Sequence, residues 1–534
     1  MPRFFNTAGP SDPGRHYTLP ILARLPRVRR LLDQQHYAVL HAPRQSGKTT
    51  TLLHLARELT ATGSHVAALL SLDHGAPRSS DLGATELSLL DAWSRATAIS
   101  LPPDLQPPPW SNVTSAPSAP SAPSASEAPA GSRISAALRA WAEAAPRPLV
   151  LFLDDMDALR DDVLLPILRQ LRAGYPTRPA HFPHALLLSG LRDVRDARDV
   201  RGIVSSDGRP GAAHPFSIKA ESITLRDFTR EEVAALYAQH TAETGQAFLP
   251  EAIDRAFHLT QGQPWLVNAL ARQLTEELCP DPAKPITRAH VEEAKEILLL
   301  RRDPHLDSLM SKLEEPRVRV ILEPMLAGSM LGSVAEDDVR HALDLGLVRM
   351  DPEGGLTVAN PIYRESIVRA LTFTRRASLP HLPATWLTPE GRLDKEALLH
   401  AFLDFWRQHG DPLLAAAPYP DVAPHLVLMA FLHRVVNGAS LDREYAMGRG
   451  RMGLCVRAHD ETLAIEIKVW RPDQKTDPLP EGLQQLDTYL ASLGLDTGWL
   501  VLFDRRPSAP PLAERLSAAP LTTPGGRRIT VIRT

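Results

Sequence analysis

The stretch YAVLHAPRQSGKTT, residues 37–50, sets Ala42, four intervening residues, then Gly47, Lys48 and Thr49 between an apolar run and a helical pattern. That spacing suits a loop that grips phosphate. Its backbone amides turn toward anionic oxygens, the lysine reaches the β and γ phosphates, and the threonine hydroxyl ligates Mg²⁺. Pro43, Arg44, Gln45, Ser46 and Thr50 complete the set expected around the phosphates. Ala42 stands where the pattern has its first glycine, and a small residue at a strand end tolerates that exchange. The chain holds only eight lysines among its 59 basic residues, so a lysine inside a motif carries more information than usual.

A second apolar run, PLVLFLDDMD, ends on Asp154 and Asp155, with Asp157 two residues further on. A carboxylate at a strand end can hold the water shell of Mg²⁺, and its neighbour can orient an attacking water. Asp154 takes the first role and Asp155 the second, while Asp157 reads as a cap on the next helix. A third run, HALLLSG, ends near Ser189, placed to sense the terminal phosphate. Arg192 and Arg195 beyond it are candidates for stabilising transferring charge, and they read equally well as Arg–Asp pairs on a solvated helix face. Together these residues point to binding and hydrolysis of a nucleoside triphosphate, ATP with Mg²⁺.

Such groups converge only if strands deliver them to one edge. Short apolar runs at 37–42, 66–72, 149–153 and 185–188 alternate with helical patterns such as 49–59, the rhythm of a parallel α/β sheet. Residues 102–132 interrupt it with SAPSAPSAPSAS, a composition expected to form a disordered surface insertion. From Thr229 the pattern turns helical. Thr229 and Glu232 make a capping box, with Val233, Leu236 and Tyr237 as the apolar stripe behind it. Residues 286–375 hold further helices and then VRHALDLGLVRMDPEGGLTVANP, a helix leading into two short strands joined at Gly354-Gly355, as in a winged helix. After a break near 380–388 come helices, a hairpin at 454–458 and 463–470, a helix at 481–492 and a strand at 499–503, a small α/β domain.

At 534 residues the chain exceeds one compact core, and its net charge of −3 excludes a global pull toward nucleic acid or membrane. No apolar stretch reaches the length of a membrane span and no signal-peptide core is present, so a cytoplasmic location without membrane contact is expected. Cys279 and Cys455 are too few and too far apart in sequence for a disulfide framework or a zinc site. The expected order is a P-loop ATPase core at 1–200, a helical lid at 201–285, a winged helix at 286–380 and a C-terminal α/β domain at 388–534.

Taken together, FFNTAGP, HYTLP, APRQSGKTT, FLDD, GLRDVRD and TQGQPWLVNALA resemble the AAA-like ATPases of bacteria that are similar to the STAND class of signal-transduction NTPases. In that class a Gly-x-Pro in the lid lies against the nucleotide, and Gly262-Gln263-Pro264 match it, which assigns Pro264 to the nucleotide site. The resemblance covers about the first 375 residues and implies nucleotide-controlled rearrangement of lid and winged helix. Glu336, Asp337 and Asp338 lead into the winged helix's second helix, and their charge is wrong for DNA phosphates, so an intramolecular or protein-contact role is expected there rather than DNA binding.

Over roughly 390–505 the chain resembles the PD-(D/E)XK nuclease superfamily, which implies a restriction-endonuclease-like α/β fold. Glu466 and Lys468 leave one face of a strand. In the family that glutamate binds Mg²⁺ and the lysine steadies the nucleophile or phosphate. Gln485 and Tyr489 match the Gln-x-x-x-Tyr helix of such domains, and Asp421 is a candidate for the acidic residue of the preceding helix. Gly453 departs from the pattern, because the family places an acidic metal ligand there. The expectation is a domain that keeps a basic groove (Arg449, Arg451, Arg457, Lys468), contacts DNA and cleaves poorly. The rivals are an ATP-regulated endonuclease using Asp442 or Glu444 as substitute carboxylate, and a scaffold that binds nucleotide without turnover.

Overall fold

The computed structural model describes residues 3–20, 24–73, 81–110, 128–191, 219–301, 303–326, 331, 334–351, 354–378, 388, 393–415, 423–435, 440–442, 453–458, 461–472 and 474–534. The chain divides into two compact units. One comprises Met1–His305, Leu343–Arg349 and Val358–Ile362, and the other Leu306–Ala342, Met350–Thr357 and Tyr363–Thr534.

The first unit is built on β1 (Tyr37–His41), β2 (Val66–Ser71), β3 (Leu149–Asp154), β4 (Ala185–Gly190) and β5 (Lys219–Thr224). They form an all-parallel sheet in the order β2-β3-β4-β1-β5. Alternate residues of each strand enter two separate cores. Tyr37, Val39, Leu151, Leu153, Leu186 and Leu188 face one, and Ala38, Leu40, Val150, Phe152 and Leu187 face the other. A sheet covered on both faces needs apolar residues at every position, which is why these strands read as unbroken hydrophobic runs. α1 (Pro26–Asp33) and α2 (Lys48–Ala61) cover one face through Val28, Leu32, Leu52, Leu55 and Leu59. α3 (Leu82–Ser100), α4 (Arg133–Ala144) and α5 (Asp161–Gly174) cover the other.

The Pro/Ser/Ala insertion is narrower than its composition suggests. Leu105 and Trp110 lie in the α3–α5 core, and the Trp110 ring stands 6.4 Å from both Trp93 and Trp141. Trp141 Nε1 donates to Leu105 O at 3.2 Å. Ala128 is also buried. Large aromatic surface at the ends of the segment outweighs the chain entropy there, while 111–127 lies outside the described residues.

Helices follow β5: α6 (Arg230–Thr244), α7 (Pro250–Thr260), α8 (Pro264–Arg272) and α9 (Arg288–Arg301). The capping box forms as expected, and Val233, Leu236 and Tyr237 are buried. The helical stretch runs to Arg301, past the expected end near 285, and belongs to the same compact unit as the sheet. Then come α10 (Pro316–Leu326), α11 (Glu336–Asp344), a hairpin of β6 (Val348–Met350) with β7 (Leu356–Val358), and α12 (Pro361–Ser378). Gly354 and Gly355 both take positive φ at the hairpin turn, which favours glycine.

The second unit carries a six-stranded mixed sheet in the order β12-β13-β11-β10-β9-β8. Its strands are β8 (Ser440–Asp442), β9 (Gly453–Ala458), β10 (Glu461–Trp470), β11 (Thr497–Asp504), β12 (Ser517–Thr522) and β13 (Arg528–Arg533). Strands β10, β11 and β13 are parallel, and β9 and β12 flank them antiparallel. α13 (Lys395–Ala415) and α14 (Ala423–Val435) cover one face, with Trp406 4.9 Å from Phe503. α15 (Leu479–Leu493) covers the other with Leu486 and Leu490. The sheet extends past residue 505, where the sequence resemblance stops, because β12 and β13 add two strands.

Candidate functional site

β1 is buried from Tyr37 to Leu40 and delivers the chain into a tight loop. Gln45 and Gly47 adopt positive φ of 58° and 92°, folding the loop back before α2 begins at Lys48. Successive bends of this kind turn amides toward one point, a concavity suited to an anion. Ala42 N donates to Gly190 O at 3.2 Å, and Ser46 Oγ to Pro43 O at 2.8 Å. Lys48 Nζ donates to Ala42 O at 2.7 Å and Pro43 O at 2.9 Å. Burial lowers the proton affinity of Lys48, and Asp154, Asp157 and Asp155 oppose that shift. Arg44 lies exposed on the rim.

The second motif meets the first directly. Thr49 Oγ1 donates to Asp154 Oδ2 at 2.6 Å. Asp154 is 1 % exposed, and its Oδ1 has no hydrogen-bond partner among the described residues. A buried carboxylate oxygen beside a threonine hydroxyl is the hard donor set that Mg²⁺ takes, so the residues present fit that ion. Asp155 sits in left-handed conformation at φ 60°, and its Oδ2 accepts from Ser71 Oγ at 3.3 Å. Its carboxyl titrates above the usual range, chiefly from lost solvation and then from the charges of Asp154 and Asp73. Asp157 does not cap the following helix. It accepts the amide of Leu191 and so ties down the exit of β4.

Ser189 stands between β3 and β1 at the carboxyl edge of the sheet, opposite Leu40 and fully buried, with its hydroxyl unpartnered among the described residues. Arg192 and Arg195 fall outside the described residues. Between α7 and α8, Gly262 has φ 77°, and a Cβ there would lie 1.9 Å from Phe228 O, so only glycine fits. The neighbouring Gln263 caps α8 by accepting Leu266 N at 2.6 Å and donates to Gln45 O of the phosphate loop at 3.4 Å. Pro264 is buried as the first residue of α8, and the residue before it, Gln263, reaches the loop.

Three features escaped sequence reading. Thr50 Oγ1 accepts Ser11 N at 3.1 Å, and His54 Nε2 pairs with Ser11 O at 2.9 Å. Trp265 Nε1 and Arg272 Nη1 reach Thr7 O and Oγ1 at 2.9 and 3.0 Å. The N-terminal FFNTAGPS segment thus straps α2 to α8. Further along the chain, a Cβ on Gly346 would lie 2.7 Å from Pro43 Cβ, so the turn before β6 abuts the phosphate loop.

Trp265 also packs on His305, ring centroids 4.7 Å apart. Burial lowers His305 from 6.5 to about 4. The unfolded chain protonates this histidine first as pH falls below about 6.5, so its contribution to stability declines down to about pH 4, by about 3 kcal/mol in all. Asp227, raised to about 6 by burial, works the other way, gaining stability as pH falls through that value. Between about pH 6.5 and pH 4 the unfolding midpoint of wild type is therefore expected to fall relative to that of His305→Gln, a difference from which Asp227 cancels. Parallel curves for the two would show that His305 does not contribute.

In the second unit Gly453 pairs opposite Glu466, and Lys468 follows two residues on, opposite Leu502 of β11. Glu466 is 3 % exposed. Lys468 Nζ donates to Glu481 Oε1 of α15 at 2.8 Å, and Gln485 Nε2 donates to the same oxygen at 2.8 Å. Lys468 therefore does not stand open in a groove as expected. Tyr489 is buried against the sheet. Asp442 registers opposite Cys455 on β8, two strands from β10, a separation of about 10 Å that is too wide to share one ion with Glu466. Arg449, Arg451, Asp421 and Glu444 fall outside the described residues. Among the described residues no cluster of three or more His, Cys, Asp or Glu suits a metal, and no helix is long and apolar enough to cross a membrane.

Residues 13–181 match the family model described as an AAA ATPase domain. No curated protein matches the chain. Among solved structures, a Walker-type ATPase of Pyrococcus abyssi aligns at TM-score 0.47 and 11% identity, over 68% of this chain and 99% of that one. The RuvB Holliday junction branch migration motor of Thermotoga maritima aligns at 0.33 and 13%, over 64% and 92%. Cdc6p from Pyrobaculum aerophilum aligns at 0.32 and 12%, over 68% and 96%. The chain is thus similar to an AAA ATPase domain over residues 13–181, a span that holds strands β1 to β3 of the five-stranded parallel sheet.

Proposed function

We propose that the protein is an ATP-hydrolysing switch whose nucleotide state controls a C-terminal domain of PD-(D/E)XK type that engages DNA and cleaves it little or not at all. The observation that carries the first half is the Thr49–Asp154 hydrogen bond, which joins the two motifs around a buried, unpartnered carboxylate oxygen. Thr49 and Asp154 hold Mg²⁺, which when bound neutralises charge on the phosphates. Lys48 grips the β and γ oxygens, the loop from Ala42 to Thr50 cradles them, and Asp155 orients water. Ser189 and Arg192 sense or stabilise the terminal phosphate. The contacts of Gln263 with Gln45 and of Gly346 with Pro43 support a loop whose occupancy is felt by lid and winged helix.

A protein-contact role for the winged helix is supported by its charges. Glu336 pairs with Arg340, Asp338 with Arg317, and His341 with Glu315, which leaves α11 without a cationic face for phosphate.

For the C-terminal domain, the register that sets Gly453 beside Glu466 supports a weakened site, because glycine offers no ligand where the family has an acid. Phosphate release and plasmid nicking measured on one preparation, with and without ATP, test the whole reading. Wild type is expected to release phosphate and to show little Mg²⁺- or Mn²⁺-dependent nicking. Gly453→Asp is expected to gain cleavage that Lys468→Ala then removes. Robust nicking by wild type that is lost in Glu466→Ala would make the protein an endonuclease, and absent phosphate release would make it a nucleotide-binding scaffold.

A further inference from the structure

Lys468 and Gln485 come from different elements, yet both donate to one oxygen of Glu481 at 2.8 Å. The close approach of α15 explains how. A Cβ on Gly482 would lie 2.8 Å from Leu500 and 3.2 Å from Lys468 Cγ, so glycine lets the first turn of the helix settle onto β10 and β11. Lys468 is mostly enclosed, its side chain 17% exposed, whereas Glu481 is 62% exposed. The donors are thus held by the sheet and helix, while the carboxylate they hold projects from the solvent side.

Two convergent donors, one cationic, around a single oxyanion make a cradle for a phosphate oxygen. We infer that Glu481 is a tethered competitor in that cradle. Its carboxylate takes the position of a phosphodiester oxygen, and nucleic-acid phosphate gains Lys468 and Gln485 only by displacing it. This rests on the DNA-engaging reading of the face but does not need cleavage. An exposed acid paired with a cation of this kind is worth little in stability, which makes it displaceable. Glu481→Gln keeps the side chain's size while removing its charge, and so lifts the competition without opening a cavity.

The test is binding of a fluorescein-labelled DNA duplex, and separately of inorganic pyrophosphate, to the full chain at fixed salt. The variants are Glu481→Gln, Glu481→Ala, Lys468→Ala and Glu481→Gln/Lys468→Ala. Asp496→Asn, beyond the far end of α15, removes the same charge as a control, and thermal melting checks each fold. Glu481→Gln and Glu481→Ala are expected to tighten duplex binding roughly three- to tenfold, the control to leave it unchanged, and the double variant to lose the gain. Pyrophosphate binding that strengthens in Glu481→Gln and fails in the double variant, with no duplex binding by any form, would uphold the cradle and remove the DNA reading. Duplex binding that is equal in wild type and both Glu481 variants would overturn the competitor role and leave the DNA reading standing. A gain matched by Asp496→Asn would also overturn it, as bulk charge.

Discussion

Lys48→Ala is expected to weaken ATP binding at least about 100-fold and abolish phosphate release while the protein still folds. Lys48 Nζ rests on Ala42 O and Pro43 O, inside the loop, with three carboxylates near enough to raise its proton affinity against burial. It is therefore a charged donor held at the mouth of the concavity formed by Gln45 and Gly47. A charge-assisted hydrogen bond to phosphate is worth about 1.5–3 kcal/mol, and a lysine bridging two phosphates supplies more than one. The fold should survive. Truncation removes two hydrogen bonds to loop carbonyls, about 1 kcal/mol each, but also relieves the cost of enclosing a cation. Titration with a fluorescent ATP analogue, beside a thermal melt, separates the two effects. Nucleotide affinity equal to wild type would remove the phosphate-loop assignment altogether.

What the sequence made legible follows from range. The strands of the first unit announce themselves because both faces are buried, so Tyr37 to Leu40 and Leu149 to Leu153 read as continuous apolar runs whatever lies around them. Thr49 and Asp154 were legible as a pair because each motif is local, although 105 residues separate them. The Ser11 and Thr7 contacts that strap α2 to α8 were not, since a backbone carbonyl leaves no pattern in composition. Glu481 was hidden for a related reason. Its place beside Lys468 depends on how closely α15 packs at Gly482, which is a matter of tertiary approach. Trp110 was masked by its neighbours, because one aromatic residue beside a Pro/Ser/Ala stretch hardly changes the composition, yet it lies in the core with Trp93 and Trp141. Gly453 is the opposite case. The sequence singled out this glycine, and the β9–β10 register sets it directly opposite Glu466.

Asp155→Asn should still bind ATP with Mg²⁺ at near wild-type affinity and lose phosphate release by about 100- to 10,000-fold, the range of general-base catalysis. The substitution is mild for the fold. Asparagine is among the few residues that accept a left-handed backbone, as required at φ 60°, and its amide oxygen can still accept from Ser71 Oγ. What it cannot do is take or attract a proton from an attacking water. The metal side is untouched, because Asp154 keeps its bond to Thr49, so the loss should fall on turnover alone. The titration of Asp155 adds a second signature. Lost solvation and the charges of Asp154 and Asp73 raise its proton affinity, so the wild-type carboxyl is protonated, and turnover falls, as pH drops through a value above the ordinary 3.8. In Asp155→Asn that acid limb should vanish from the residual rate. Normal turnover in the mutant would end the division of roles between the two aspartates. Asp157 would not be the first substitute, because its carboxylate is engaged with the Leu191 amide, and the residues beyond Leu191 would be the next candidates.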